Sequence, residues 1–183
     1  MYLIVGLGNK GKEYNNTRHN IGFKYIDELA KKYNVSISKK KLDGMYAEIN
    51  INGEKVILLK PQLYMNLSGI TVKKYMSFFK IPVENILIIQ DDLDMEVGTL
   101  KLKTNSSSGG HNGIKNIEEQ LNTNAIKRLK IGISNTKEDT IEYVLGKFSK
   151  QEQEVIDNLS DTVVSILEEF PTVDFERLMN KYN

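Results

Sequence analysis

The spacing of apolar and polar positions changes period several times along the chain, and each change marks an element. Tyr2 to Val5 is a short apolar run that stops at Gly6, the pattern of a buried strand. Leu7 to Asn20 is aperiodic and rich in glycine and asparagine, a long loop. From Ile21 the apolar positions Phe23, Tyr25, Ile26, Leu29, Ala30 and Tyr33 keep roughly helical spacing, with Asn20 available as N-cap. Tyr46 to Ile51 alternates, Asn52-Gly53 signals a tight turn, and Lys55 to Lys60 follows, which predicts a β-hairpin. After Pro61, Asn66 or Ser68 is expected to cap a helix running through Ile70, Val72, Tyr75, Met76 and Phe79.

Ile86 to Gln90 is apolar enough for a central strand covered on both faces. Further strands are expected at Gly98 to Lys103 and at Ile126 to Ile133, separated by a Ser/Gly loop, Thr104 to Gly113, and a helix from about Ile114 to Leu121. One long amphipathic helix is predicted over Gln151 to Phe170, stopped by Pro171, with a tail helix near Val173 to Tyr182. Strands alternating with helices, plus one hairpin, imply an α/β three-layer sandwich. Its central sheet is expected to be mixed but mostly parallel, flanked by helices, in a single domain spanning 1–183. Lys39-Lys40-Lys41 reads as a solvated loop.

Composition narrows the chemistry. The 183 residues include no Cys, which excludes disulfides, thiolate-held metals and thiol nucleophiles, and only two histidines, His19 and His111. No apolar run approaches the ~20 residues of a membrane span, and the N-terminus lacks the basic start of a signal peptide. A cytoplasmic location is the expectation. The net charge of +1 hides an asymmetry: residues 1–130 carry 20 Lys+Arg against 13 Asp+Glu, and residues 131–183 carry 5 against 11. Such a division permits a polyanionic partner without requiring one.

Four motifs are candidates for function. Gly6-Leu7-Gly8-Asn9-Lys10-Gly11 matches the glycine pattern of dinucleotide-binding turns, but the segment after it has no helical stripe and no acidic residue ends a second strand. A nicotinamide-dependent oxidoreductase is therefore the weaker reading. Thr17-Arg18-His19-Asn20 ends the first loop. His19 alone would be unremarkable, but strand ends are where open α/β sheets assemble sites, and Asn9, Asp91 and Asn66 follow three of them. An imidazole oriented by a carboxylate can take a proton from water, and asparagine amides can donate to a developing oxyanion. In Gln90-Asp91-Asp92-Leu93-Asp94 the spacing does not fit a calcium loop; Asp91 is the site candidate, whereas Asp92 and Asp94 suit a turn. Ser106 to Gly113 offers amides to an anion, and no serine sits in a nucleophile elbow.

Together these residues resemble the bacterial-type peptidyl-tRNA hydrolases. The matching stretches are Leu3 to Phe23, Lys60 to Gly69, Asp91 to Lys103, Ser108 to Ile117 and Arg128 to Ile133, in the family's order and spacing. The resemblance implies a monomeric α/β enzyme that hydrolyses the ester joining a peptide to the 3′ end of tRNA, recycling tRNA from aborted translation. It implies His19 as general base, Asp91 as its orienting carboxylate, and Asn9 as the residue distinguishing N-blocked substrates. Tyr14, Tyr64, Asn66 and Asn112 match positions contacting the peptide or the tRNA 3′ end, and Met65 one packed on the cleft wall. Lys103 and Lys130 fall where the family clamps the 5′ phosphate beside the acceptor stem. No metal, cofactor, membrane or obligate protein partner is expected. Two positions depart from the family's habit: Lys10 where proline is common, and Gln90 where histidine is common. A non-catalytic RNA-binding relative on the same scaffold is the alternative.

Overall fold

A computed structural model describes residues 1–135 and 139–183. Its sheet contains β1 (Tyr2–Gly6), β2 (Lys39–Lys41), β3 (Gly44–Ile51), β4 (Glu54–Pro61), β5 (Ile86–Asp92), β6 (Leu100–Lys103) and β7 (Lys127–Gly132), in the spatial order β2-β3-β4-β1-β5-β7-β6. The central strands β4, β1, β5 and β7 run parallel, and antiparallel pairings close both sides through β2–β3–β4 and β6–β7. The helices are α1 (Ile21–Lys32), α2 (Ser68–Phe79), α3 (Asn112–Leu121), α4 (Thr140–Leu145), α5 (Lys150–Asn158), α6 (Ser160–Glu169) and α7 (Phe175–Tyr182).

The period of two in the strands sorts the core into two layers. Leu3 lies between Ile57 and Ile86 and faces the helices α2 and α3; Ile4 lies between Leu58 and Leu87 and faces α1, α5, α6 and α7. All six are fully buried. Burying a side chain of this kind contributes about 1.5–3 kcal/mol relative to leaving it exposed. The expected mixed α/β sandwich is thus the observed one. Among the described residues, no helix is long and apolar enough to cross a membrane.

Several local expectations change. Lys39–Lys41 is not a loop but an edge strand paired with Gly44 to Tyr46, where lysines also discourage edge-to-edge association. The long C-terminal helix is two, α5 and α6. They divide at Leu159, whose N–H turns back to Ile156 O at 3.2 Å, and α5 starts on a capping box between Ser149 and Glu152. Helix α4 was not anticipated; Asp139 caps it by accepting from the Ile141 and Glu142 amides. Neither Asn66 nor Ser68 caps α2: Leu67 occupies that position, and the Ser68 hydroxyl donates backward to Met65 O at 2.8 Å.

Candidate active site

The site forms where the carboxyl ends of β1 and β5 meet the start of α1. The approach is close because two glycines allow it. A Cβ at Gly6 would lie 2.2 Å from Gly22 O, and one at Gly22 would lie 2.4 Å from Leu7 N. Leu7 N–H also donates to Ile89 O at 3.1 Å, locking the first loop to the central strand. The helical turn Arg18–Asn20, one residue before α1, is thereby held over the end of β5.

That placement brings His19 onto Asp91. His19 Nδ1 stands 2.8 Å and 3.0 Å from the two carboxylate oxygens, and His111 Nε2 reaches Oδ1 at 2.9 Å. The two imidazoles lie 5.1 Å apart, centroid to centroid. The protonation pattern follows from the neighbours. His111 Nδ1 accepts from the Gly113 and Ile114 amides, capping α3, so its proton sits on Nε2 and is donated to Asp91. A carboxylate only accepts, so His19 donates from Nδ1 as well. This leaves Nε2 of His19 as the free basic nitrogen. Desolvation alone would raise the pKa of Asp91, which is 3% exposed, but the two histidines outweigh it and hold the carboxyl well below the usual range. For His19, burial disfavours the cation, while the Asp91 charge and hydrogen bond overcome that and raise its pKa above 6.5.

His19, Asp91 and His111 border a cleft of about 360 Å³ whose other walls include Asn112, Lys101, Lys103, Lys130 and, from α4, Ile141 and Val144. The expected cationic pair is present. Lys101, which sequence reading passed over, is the cross-strand partner of Lys130 and lines the same cleft. The Lys101-Leu102-Lys103 alternation was the available signal, since residues two apart share a face. Lys130 is not free: its ammonium sits 3.6 Å from Asp92. Burial first, then the charges of Arg128 and Lys103, lower its pKa against the pull of Asp92. Asp92 also accepts from the Asp94 amide at 2.8 Å, the turn role anticipated for it.

The remaining predicted residues are not among those that line this cleft. Asn9 is buried; its Oδ1 accepts from the Met65 amide at 2.7 Å, so its amide nitrogen is the group left to donate. Asn20 occupies the N-cap position of α1 as expected, but its side chain makes no capping hydrogen bond. Its side chain donates to Asn9 O and accepts from Asn9 N, at 2.9 and 2.8 Å, fixing the backbone of the first loop. Met65 is buried with its sulfur against Gly113, directly behind Asn112. Asn66 and Tyr64 are exposed beside it, and Tyr14 is half-buried in the first loop. His111 was the larger omission. The sequence leaves it between loop support and contact with RNA; it does cap α3, and it also shares Asp91 with His19.

Among the described residues, His19, Asp91 and His111 also form a group whose ligand atoms lie within 4.8 Å of one another. The donor set does not suit a metal as arranged. His111 carries its proton on the nitrogen that would have to bind, and moving it to Nδ1 would set N–H against the two capping amides. The glycine-rich turn after β1 likewise lacks a dinucleotide site's helix, since α1 begins only at Ile21.

Comparison with known proteins agrees with this geometry. The family described as "Peptidyl-tRNA hydrolase" matches residues 3–183. A peptidyl-tRNA hydrolase of Clostridium botulinum strain Hall is 49% identical over 187 residues, covering 100% of this chain and 97% of the relative. The one from strain Alaska E43 is 46% identical over 183 residues, covering 100% and 96%. The crystal structure of peptidyl-tRNA hydrolase from Acinetobacter baumannii superposes with a TM-score of 0.94 at 39% identity, covering 100% of this chain and 94% of that one. A 5′-methylthioadenosine nucleosidase of Arabidopsis thaliana, at 10% identity and a TM-score of 0.54 over 96% and 98% of the two chains, shares the fold alone. The chain belongs to the peptidyl-tRNA hydrolase family.

Proposed function

We propose that this protein hydrolyses the ester between a peptide and the 3′ end of tRNA, freeing tRNA from aborted translation. The observation that carries the reading is the His19–Asp91 pair: a buried carboxylate holds one imidazole nitrogen and leaves the other free at a cleft that also contains lysines. In the reaction, His19 Nε2 takes a proton from water as the oxygen attacks the ester carbonyl. Asp91 stabilises the imidazolium so formed. The bond from the carbonyl carbon to the tRNA oxygen then breaks, and the leaving oxygen takes the proton back from His19. The amides of Asn9, Asn66 and Asn112 are the donors assigned to the carbonyl oxygen as charge develops on it. Positioned general-base assistance of this kind contributes ~10²–10⁴-fold.

Lys103 and Lys130 would receive the 5′ phosphate of tRNA, with Asp92 giving up Lys130 as the phosphate arrives. Tyr14, Tyr64 and Met65 would border the peptide and the 3′ end. The chain is taken to act as a single-domain cytoplasmic monomer without a metal. The deciding experiment is release of the acyl group from N-acetylated aminoacyl-tRNA in EDTA, beside unblocked aminoacyl-tRNA and the His19→Ala protein. Cleavage of the blocked substrate alone, lost in the variant, is expected. Binding of tRNA without cleavage by the unaltered protein would instead establish an RNA-binding relative.

A further inference from the structure

Behind the cleft lies a buried charge that the reaction above does not use. Arg128 on β7 is 1% exposed, and among the described residues no carboxylate comes within ion-pair distance of its guanidinium. Its partners are neutral oxygens on two separate walls. Nη1 donates to Gln90 Oε1 at 3.3 Å and to Ser107 O at 3.0 Å, and Nη2 donates to the Ser106 hydroxyl. Burying an arginine is costly unless its donors are met; these oxygens meet Nη1 and Nη2, while Nε is buried without a hydrogen-bond partner among the described residues.

Both walls lead to the reacting groups. On one, Gln90 Nε2 donates to Asp91 O at 3.1 Å. On the other, Ser108, next to Ser107, accepts from the His111 amide at 3.0 Å, and His111 Nε2 returns to Asp91. The contacts close a ring: Arg128, Ser107, Ser108, His111, Asp91, Gln90 and back to Arg128. Every link between these residues is a hydrogen bond except the peptide step from Ser107 to Ser108.

We propose that Arg128 is a positioning residue for the hydrolysis, setting the 106–108 loop, and with it His111 and Asn112, against Asp91. Gln90 completes the ring from the strand side. It offers an acceptor to the guanidinium and a donor to the Asp91 carbonyl at once, which gives the glutamine at this position a specific task. This rests on the hydrolase reading of the site. Arg128 lies two residues from Lys130 on the same face of β7, but it is 1% exposed and lies behind the residues that line the cleft, so it holds no substrate phosphate itself.

The test compares Arg128→Met, Arg128→Lys and Ser106→Ala on N-acetylated aminoacyl-tRNA, with His111 followed by ¹⁵N NMR of its ring. Arg128→Met is expected to lose kcat on the order of 10- to 100-fold, the scale of a small misplacement, while KM for the tRNA stays within a factor of about 2 because the lysines are untouched. Its His111 Nδ1 signal should lose the character of a fixed acceptor. Arg128→Lys should restore part of kcat. A folded Arg128→Met protein with unaltered kcat and unaltered His111 signals overturns the proposal. Should that variant fail to fold, Ser106→Ala decides: a several-fold fall in kcat supports the ring, and an unaltered kcat overturns it. The His111 signals need no turnover. If they shift in a series whose parent cleaves nothing, the hydrolase reading fails and the positioning role with it; the loop anchor alone then remains.

Discussion

The two ends of the cleft are built in opposite ways. At one end, His19, Asp91 and His111 are tied to each other and to the backbone, and Asp91 is nearly inaccessible. At the other, Lys101, Lys103 and Lys130 stand on neighbouring strands, with one contact from Lys130 to Asp92 at 3.6 Å. The first arrangement suits proton transfer, which depends on a nitrogen held at a set angle and in a set tautomer. The second suits a phosphate, which is attracted over several ångströms and needs no single geometry. Preorganisation is concentrated where bonds change, and loose charge where a polyanion must arrive and leave.

The largest test of the contrast is His19→Ala. Turnover of blocked aminoacyl-tRNA is expected to fall by at least ~10²–10⁴-fold with tRNA binding retained, as read from single-turnover rates and a filter-binding isotherm. Loss of binding in step with rate would show that the two ends are not separate. Asp91→Asn should cost less, and it should also move the pH profile. His19 must be neutral to act, so kcat/KM rises with pH through its pKa, which Asp91 raises above 6.5. Removing the negative charge lowers that pKa, and the rise should move to lower pH. An unmoved profile would break the pairing.

At the other end, Lys103→Gln and Lys130→Gln should weaken tRNA without regard to sequence and each reduce the slope of log affinity against log salt by about one ion. Unchanged slopes in both would misplace the phosphate. The smallest effect is expected from Asp92→Asn, which frees Lys130. Partly exposed ion pairs are worth about 0–1 kcal/mol, so tRNA affinity should rise by no more than several-fold. A fall instead would give Asp92 a positive role in binding.

Much of this was legible in the chain. The apolar runs Tyr2–Val5 and Ile86–Gln90, the Asn52-Gly53 turn and the helical stripe after Ile21 are local patterns, which a sequence displays directly. His19 and Asp91 were candidates because chemistry-bearing side chains gather at strand ends, whereas Lys103 and Lys130 came only from the resemblance to the family. The Lys39–Lys41 strand was not legible, since an edge strand is made by its neighbour's free backbone and not by its own side chains. The break at Leu159 involves a single residue within an otherwise continuous stripe. At Asn20 the position was legible and the partner was not: it stands at the N-cap of α1, and only the return of the loop toward it supplies the Asn9 backbone to its side chain.

Sequence alone therefore determined the layers of the sheet and which side chains could do chemistry, which follow from periodicity and residue type, and the family, which rests on matching stretches in the same order. Tertiary structure decided which nitrogen of each histidine carries a proton, that both histidines share one carboxylate, and that a buried arginine closes a ring behind them. The shared carboxylate and the two walls around the arginine depend on hydrogen bonds between residues 20 to 72 positions apart, and such contacts leave no period in the chain.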